Sequence, residues 1–216
     1  MPGLASLSPK ARFGLRASAV YAALALLVFR ALASETFFGG DIYKFFLPVW
    51  IETTSQLQQG IVPAWNPSWS CGAPLLGGFL PSALYPPVIA CAWFPPSLGF
   101  SLCIALHPPF AALGFALFLR RQGLGAMAAI VGGAAFGFGG FFLSLSSISP
   151  AALYVVSWSG WLLFLLDRLL KAPSAPRAAA LGLAGGMVVL AGEPQYALHL
   201  ALLLVGWLIL GSTPGK

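Results

Sequence analysis

Apolar residues along this chain gather in runs of helical length separated by short polar breaks, at residues 17–33, 98–119, 124–145, 151–166, 178–191 and 196–210. Crossing the ~30 Å hydrocarbon core of a bilayer as a helix takes about 20 mostly apolar residues, and these runs approach that length. A membrane barrel would instead show ~10-residue segments of alternating apolar and polar positions. No such alternation occurs in the sequence. The pattern predicts an all-α, polytopic helical membrane protein with about six transmembrane helices.

Residues 34–97 break the pattern with Glu35, Asp41, Lys44, Glu52, Gln56, Gln58 and Gln59. Within 43–57, Phe46, Val49, Trp50 and Leu57 fall on roughly one helical face, which predicts an amphipathic helix at the interface. Pro63-Ala64-Trp65-Asn66-Pro67 ends that helix and opens a turn-rich loop. Trp65, Trp69, Tyr85 and Trp93 suit an aromatic belt at the membrane boundary. Residues 75–94 are apolar but carry Pro81, Pro86 and Pro87. Charge decides whether they cross. If they do not, nine of the eleven Lys and Arg face the cytoplasm and four of the five acids face out, as the positive-inside rule requires. The expected organisation is a cytoplasmic amino terminus at 1–16, a first transmembrane helix at 17–33 and an extracytoplasmic loop at 34–97 with interfacial and re-entrant segments. A five-helix bundle follows at 98–211, with a cytoplasmic end at 212–216. Ala31-Leu32-Ala33-Ser34 resembles a signal-peptidase site. Arg30 closes the apolar run in a way unusual for a cleaved signal, so an uncleaved anchor is expected, with Arg30 snorkelling to the outer interface.

Composition narrows the class. The chain is 59% hydrophobic and 7% charged, against about 25% charged in a soluble domain. A soluble fold of this size could not cover so much apolar surface. The net charge of +6 comes from short clusters at the ends of the apolar runs, not from a basic stripe, which argues against nucleic acid. Cys71, Cys91 and Cys103 form no metal or C-x-x-C spacing. They read best as small buried residues, with a Cys71–Cys91 disulfide the less favoured alternative. Gly133-x-x-x-Gly137 and Gly182-x-x-x-Gly186 predict close helix contacts. The glycine-rich stretch 132–140 follows no strand and lacks the third glycine of a nucleotide fingerprint.

Ionisable groups near a membrane span tend to be functional, and the outer side offers few: Asp41, Lys44, Glu52, Glu193 and His107. Asp41 follows Gly39-Gly40 and precedes the amphipathic helix, so it serves either as an N-cap, worth ~1 kcal/mol, or as a base or metal ligand. Glu193 sits in Ala191-Gly192-Glu193-Pro194-Gln195, where it is either a solvated turn carboxylate before Pro194 at a helix start or part of a site shared with Asp41. His107, before Pro108-Pro109, is more often a hydrogen-bonded packing histidine than a ligand. His199 ranks lower still. Asp167-Arg168 reads as a local ion pair. No Ser-His-Asp arrangement, P-loop or HExxH is present, so composition and spacing alone name no reaction.

A series of segments adds to this: 40–48 (Gly-Asp-Ile-Tyr-Lys-Phe-Phe-Leu-Pro), 60–67 (Gly-Ile-Val-Pro-Ala-Trp-Asn-Pro), 72–76, Tyr85-Pro86-Pro87, Leu106-His107, 134–140, 158–168 and Gly192-Glu193-Pro194-Gln195. In order and spacing, over residues 36–205, the chain resembles the amino-terminal portion of the YfhO-like bacterial membrane proteins. These are relatives of the GT-C type glycosyltransferases that use polyprenyl-phosphate sugars. The resemblance implies a multi-pass protein of the bacterial inner (cytoplasmic) membrane. It implies transfer of a sugar from a polyprenyl-phosphate carrier to a cell-envelope acceptor on the outer face. Asp41 corresponds to the acidic residue such enzymes use as base or metal ligand, so Asp41 and Glu193 are the implied catalytic residues. A divalent metal cation on Asp41 is the implied cofactor. Lys44, Arg30, Trp65, His107 and Gln195 are the implied substrate contacts, the two cations pairing with phosphate. Expected partners are membrane lipids, the polyprenyl-phosphate-linked sugar and a partner chain completing the fold, with no nucleic acid. The family continues through more spans, so the resemblance implies a truncated or short form. The alternatives are a non-catalytic membrane subunit or a lipid-linked substrate transporter. A transporter should show repeated broken helices, and the Pro-broken segments near 81–96 and 108–109 have no second copy.

Overall fold

The computed structural model describes residues 8–30, 40–69, 71–78 and 80–211. Proline and serine set many of the helix starts. Helix α1 (Pro9–Val28) opens with Ser8 accepting a hydrogen bond from the Ala11 amide at 3.3 Å. Pro9 at the first position fixes φ where no intrahelical N–H is needed. The same logic starts α3 (Pro86–Cys91), α4 (Pro96–Arg121), α7 (Pro150–Val156, capped by Ser149) and α10 (Pro194–Gly211). Glycines in the left-handed region end others. Gly60, Gly123 and Gly192 follow α2 (Leu47–Gln58), α4 and α9 (Ala175–Leu190) at φ of 72°, 91° and 87°, conformations that side chains disfavour.

Among the described residues four helical tracks are long and apolar enough to cross a bilayer: α1, α4, residues Ala126–Ile148 and residues Pro150–Lys171, of 20, 26, 23 and 22 residues. The third is α5 (Ala126–Gly137) followed by α6 (Gly140–Ile148), and the fourth is α7 followed by α8 (Ser159–Lys171). Helices α9 and α10 are apolar but shorter. The chain is an all-α helical membrane protein. Its outward faces agree: Leu26, Met127, Leu183 and Ile209 are each more than 60% exposed, and such an apolar surface belongs against lipid rather than water. The longest described helix between residues 59 and 95 is α3, with six residues. It rises about 9 Å, far short of a span.

Helix α4 is the hub, packed against α1, α5, α7 and α8. Tracks consecutive in sequence run antiparallel, so α4 and α8 lie parallel, with Gly160 against Phe115 and Asp167 beside Arg121. At one end Arg120 lies over the Phe13 ring and Phe118 meets Trp207 edge-on at 5.0 Å. At that end also sit Lys10, Arg12, Arg16, Arg121, Arg168, Lys171 and Arg177. Chain direction puts Arg30, Asp41, Lys44, Glu52 and Glu193 at the other end. We call these the cationic and the mixed-charge ends. The expected tight contact of Gly133 and Gly137 is present. A Cβ on Gly137 would lie 2.8 Å from the Ala112 Cβ and amide nitrogen, and one on Gly133 would overlap the Tyr21 hydroxyl. That hydroxyl donates to the Ile130 carbonyl at 2.9 Å and ties α1 to α5.

Four expectations need correction. A Cβ on Gly182 or Gly186 would meet nothing within 4 Å among the described residues, because these glycines lie on the outward face of α9 while Ala184 and Val188 face in. Tyr85 is not a belt residue: it is 1% exposed, whereas Trp65, Trp69 and Trp93 are 54%, 43% and 70% exposed. Its hydroxyl is needed inside, as described below. Asp167 pairs not with Arg168 but with Arg121 at 2.5 Å and Lys171 at 2.8 Å. Adjacent helical positions do not face each other, while i,i+4 positions do. Cys71 is exposed, and Cys91 and Cys103 are buried. The signal-peptidase-like stretch 31–34 and Glu35 lie outside the described residues.

The long connection folds onto the mixed-charge end. A π-helical turn, Ile42–Phe46, runs into α2. Ile42, Val49, Trp50 and Thr53 are buried, spaced as one helical face, and Trp50 meets Phe100 of α4 with ring centroids 5.5 Å apart. Gln56 donates to the Trp65 carbonyl at 2.8 Å and Gln58 to the Ala92 carbonyl at 2.5 Å. The strands β1 (Trp65–Asn66) and β2 (Ala73–Pro74) pair antiparallel. At Gly72, φ is 112° and the Trp65 indole covers the Cα so closely that a Cβ would sit 2.7 Å from it. Ser82 donates to the Ala191 carbonyl at 2.7 Å, which fastens the connection to the turn carrying Glu193.

Candidate functional site at the mixed-charge end

The expected site residues divide into two groups. Asp41, Lys44, Trp65 and Gln195 are exposed and Glu193 is half-buried, all at the mixed-charge end. Arg30, also exposed, closes the carboxyl end of α1. The backbone of Asp41 is itself helical, at φ −75° and ψ −27°, and its side chain makes no capping hydrogen bond. Its carboxylate is not spent on the helix start. Glu193 precedes Pro194 at the start of α10, and its carbonyl accepts from the Ala197 amide at 3.1 Å. Among the described residues no hydrogen bond or ion pair joins Asp41 to Glu193. Nor do three His, Cys, Asp or Glu side chains gather there to hold a metal. Glu52 is occupied as acceptor for Gln56 at 2.7 Å.

His107 belongs to a second, interior group. It is 3% exposed, in the middle of α4. Its Nδ1 faces the Cys103 carbonyl at 2.5 Å, and its Nε2 faces the Tyr85 hydroxyl at 3.0 Å. A carbonyl only accepts, so Nδ1 carries the proton and Nε2 accepts from Tyr85. The Tyr85 oxygen in turn accepts from Trp158 Nε1 at 2.9 Å. Burial pushes the Tyr85 hydroxyl well above its ordinary pKa, so it keeps the proton it donates. Tyr154 stacks on Tyr85, with centroids 5.6 Å apart, and lies tilted against His107 at 4.4 Å. Both nitrogens of the His107 ring and the Tyr85 hydroxyl are satisfied, which is what burial of polar groups demands. The network clamps the connection, through Tyr85, to α4 and to the junction of α7 and α8. His107 is enclosed by these rings and 3% exposed, whereas Asp41 is exposed.

Tyr85, His107 and Trp158 come from three separated segments of the sequence, 22 and 73 positions apart by their hydrogen bonds. Spacing along the chain carries no sign of their meeting. Nor does the sequence single out Ser82. It is buried with φ at 52°, a conformation costly for a residue with a side chain, and the hydrogen bond to Ala191 holds it there.

Comparison with protein-family models, curated proteins and solved structures finds no match.

Proposed function

We propose that this chain is a membrane glycosyltransferase, or the amino-terminal part of one. It transfers a sugar from a polyprenyl-phosphate carrier to a cell-envelope acceptor on the outer face of the bacterial inner membrane. The reading rests on the resemblance to YfhO-like proteins. The observation that supports it best is the segregation of charge along the bundle. Eight Lys and Arg lie at one end among the described residues, while exposed Asp41 and Lys44 stand at the other. Cations favour the cytoplasmic side, which turns Asp41 outward.

On this reading Asp41 takes the proton of the acceptor hydroxyl as that oxygen attacks the anomeric carbon. The carbon–oxygen bond to phosphate breaks with its electron pair, and polyprenyl phosphate leaves with the configuration inverted. One base is enough for such a displacement, whereas a retaining mechanism needs two close carboxylates. Lys44 and Arg30 carry the positive charge that receives the phosphate. A magnesium-type cation is commonly held by one or two carboxylates together with substrate phosphates, so an uncommitted Asp41 fits that kind of site. When bound, the ion neutralises charge on the leaving phosphate.

A non-catalytic membrane subunit is the second reading. It is favoured by His107, whose two ring nitrogens are both engaged inside the protein. Asp41→Asn separates the two. The amide keeps the shape but cannot act as a base, and loss of general-base catalysis typically costs 10²–10⁴-fold in rate. Glycosyl transfer is measured in membranes carrying the parent or variant chain. Transfer lost with stability unchanged supports catalysis, and parent-like transfer removes Asp41 from the chemistry.

A further inference from the structure

We propose that the furrow between α1 and α4 holds the phosphate-proximal part of the hydrocarbon chain of a lipid phosphate, with the Arg30 guanidinium pairing with the phosphate at its mouth. The inference rests on the lipid-phosphate donor proposed above and extends it by assigning the chain a seat.

The furrow has a volume of about 620 Å³ and is lined almost wholly by apolar groups. Its origin is local. Near the middle of α1, Ala17 and Tyr21 meet Ala112 and Ala116 of α4 with no exposed surface left between them. Beyond that level, toward the mixed-charge end, the facing residues become Ala22 and Ala25 on α1 and Ala105 and Pro109 on α4. These short side chains leave open space where longer ones would interlock. Pro108 and Pro109 inside α4 also deny helical hydrogen bonds to the carbonyls of Ile104 and Ala105, the usual cause of a bend at such a place.

Depth and charge identify the occupant. The α1 wall runs from Ser18 to Arg30, 12 steps of 1.5 Å, or about 18 Å. One leaflet of a ~30 Å hydrocarbon core is about 15 Å deep. A chain lying in the furrow therefore spans one leaflet and brings its head group to Arg30, the single cation among the lining residues. An apolar slot of leaflet depth ending in one guanidinium matches a chain ending in one phosphate, which a guanidinium binds with two parallel hydrogen bonds. A two-chain phospholipid would leave its second chain outside the slot.

The full chain is purified in detergent and titrated with undecaprenyl phosphate, with complexes counted by native mass spectrometry and dioleoylphosphatidylglycerol as competitor. Arg30→Gln is expected to weaken binding about tenfold or more, the loss of a charge-assisted pair. Ala105→Trp fills the furrow and is expected to weaken binding similarly. Ala22→Leu, at an exposed position, serves as the milder filler should Ala105→Trp not fold. Lys10→Gln at the cationic end should leave binding unchanged. Binding insensitive to Arg30→Gln and to both fillers would overturn the proposal, and so would phosphatidylglycerol competing mole for mole. Furrow-dependent binding without glycosyl transfer by any form would overturn only the enzymatic reading. Transfer that survives the fillers would overturn only the furrow.

Discussion

Gly137→Ala and Gly182→Ala are the same chemical change in the same small-xxx-small motif, yet the structure predicts opposite effects. At Gly137 the new methyl would stand 2.8 Å from both the Cβ and the amide nitrogen of Ala112. One of these is backbone and the other is attached to it, so neither can swing aside and α5 must move from α4. Forcing a methyl into a filled contact typically costs 1–3 kcal/mol. Gly133→Ala meets the Ala116 Cβ at 2.9 Å and the Tyr21 hydroxyl. It should cost a similar amount, and the double variant should fall short of the sum because both sites press on Ala112. At Gly182 nothing lies within 4 Å, so only helix propensity acts, and alanine is favoured over glycine by up to about 1 kcal/mol. The expected gap between Gly137→Ala and Gly182→Ala is therefore about 1–4 kcal/mol. Stepwise addition of SDS to purified protein in mild detergent, followed by tryptophan fluorescence, measures it as a shift in unfolding midpoint. Equal destabilisation at both positions would show that α9 packs through its glycines, contrary to the structure.

Two further changes probe the interior. Tyr85→Phe removes the acceptor for Trp158 and the donor to His107 at once. Stability should fall by about 1–3 kcal/mol, with a change in tryptophan emission, and a variant as stable as the parent would dissolve the network. Asp167→Asn should cost about 1.5–3 kcal/mol, because its carboxylate is buried and takes two cationic partners. Lys171→Gln should cost under about 1 kcal/mol, since that side chain is 56% exposed. Equal losses in the same titration would contradict this ranking.

Much of the fold was legible because the bilayer leaves a coarse signature. Apolar runs of helical length mark the tracks: among the described residues four of the six expected runs fall on tracks long enough to span, two of these broken at 138–139 and 157–158, while 178–191 and 196–210 fall on shorter helices. What pairs with what was less legible. Gly133 and Gly182 have the same local pattern, and only the partner helix distinguishes them. Tyr85 among prolines looks like any interfacial tyrosine until Trp158 is brought to its oxygen. Asp167 sits beside Arg168 in sequence, yet its closest cation, Arg121, lies 46 positions away. For the site, chain order already implied that Arg30, Asp41, Lys44 and Glu193 share one end. The furrow beside Arg30 was not legible, because an alanine facing a gap and an alanine facing a neighbour are the same letter.

The outward orientation of the mixed-charge end underlies the proposed chemistry, and site-directed labelling tests it most directly. In a background with Cys71, Cys91 and Cys103 replaced, single cysteines are placed at Gln58, Gln122, Ser174 and Pro194. Intact cells are then treated with a membrane-impermeant thiol reagent. The charge asymmetry predicts labelling at 58 and 194, with 122 and 174 reacting only after the membrane is opened. Labelling at 122 and 174 in intact cells, with 58 protected, would place Asp41 in the cytoplasm and contradict the account.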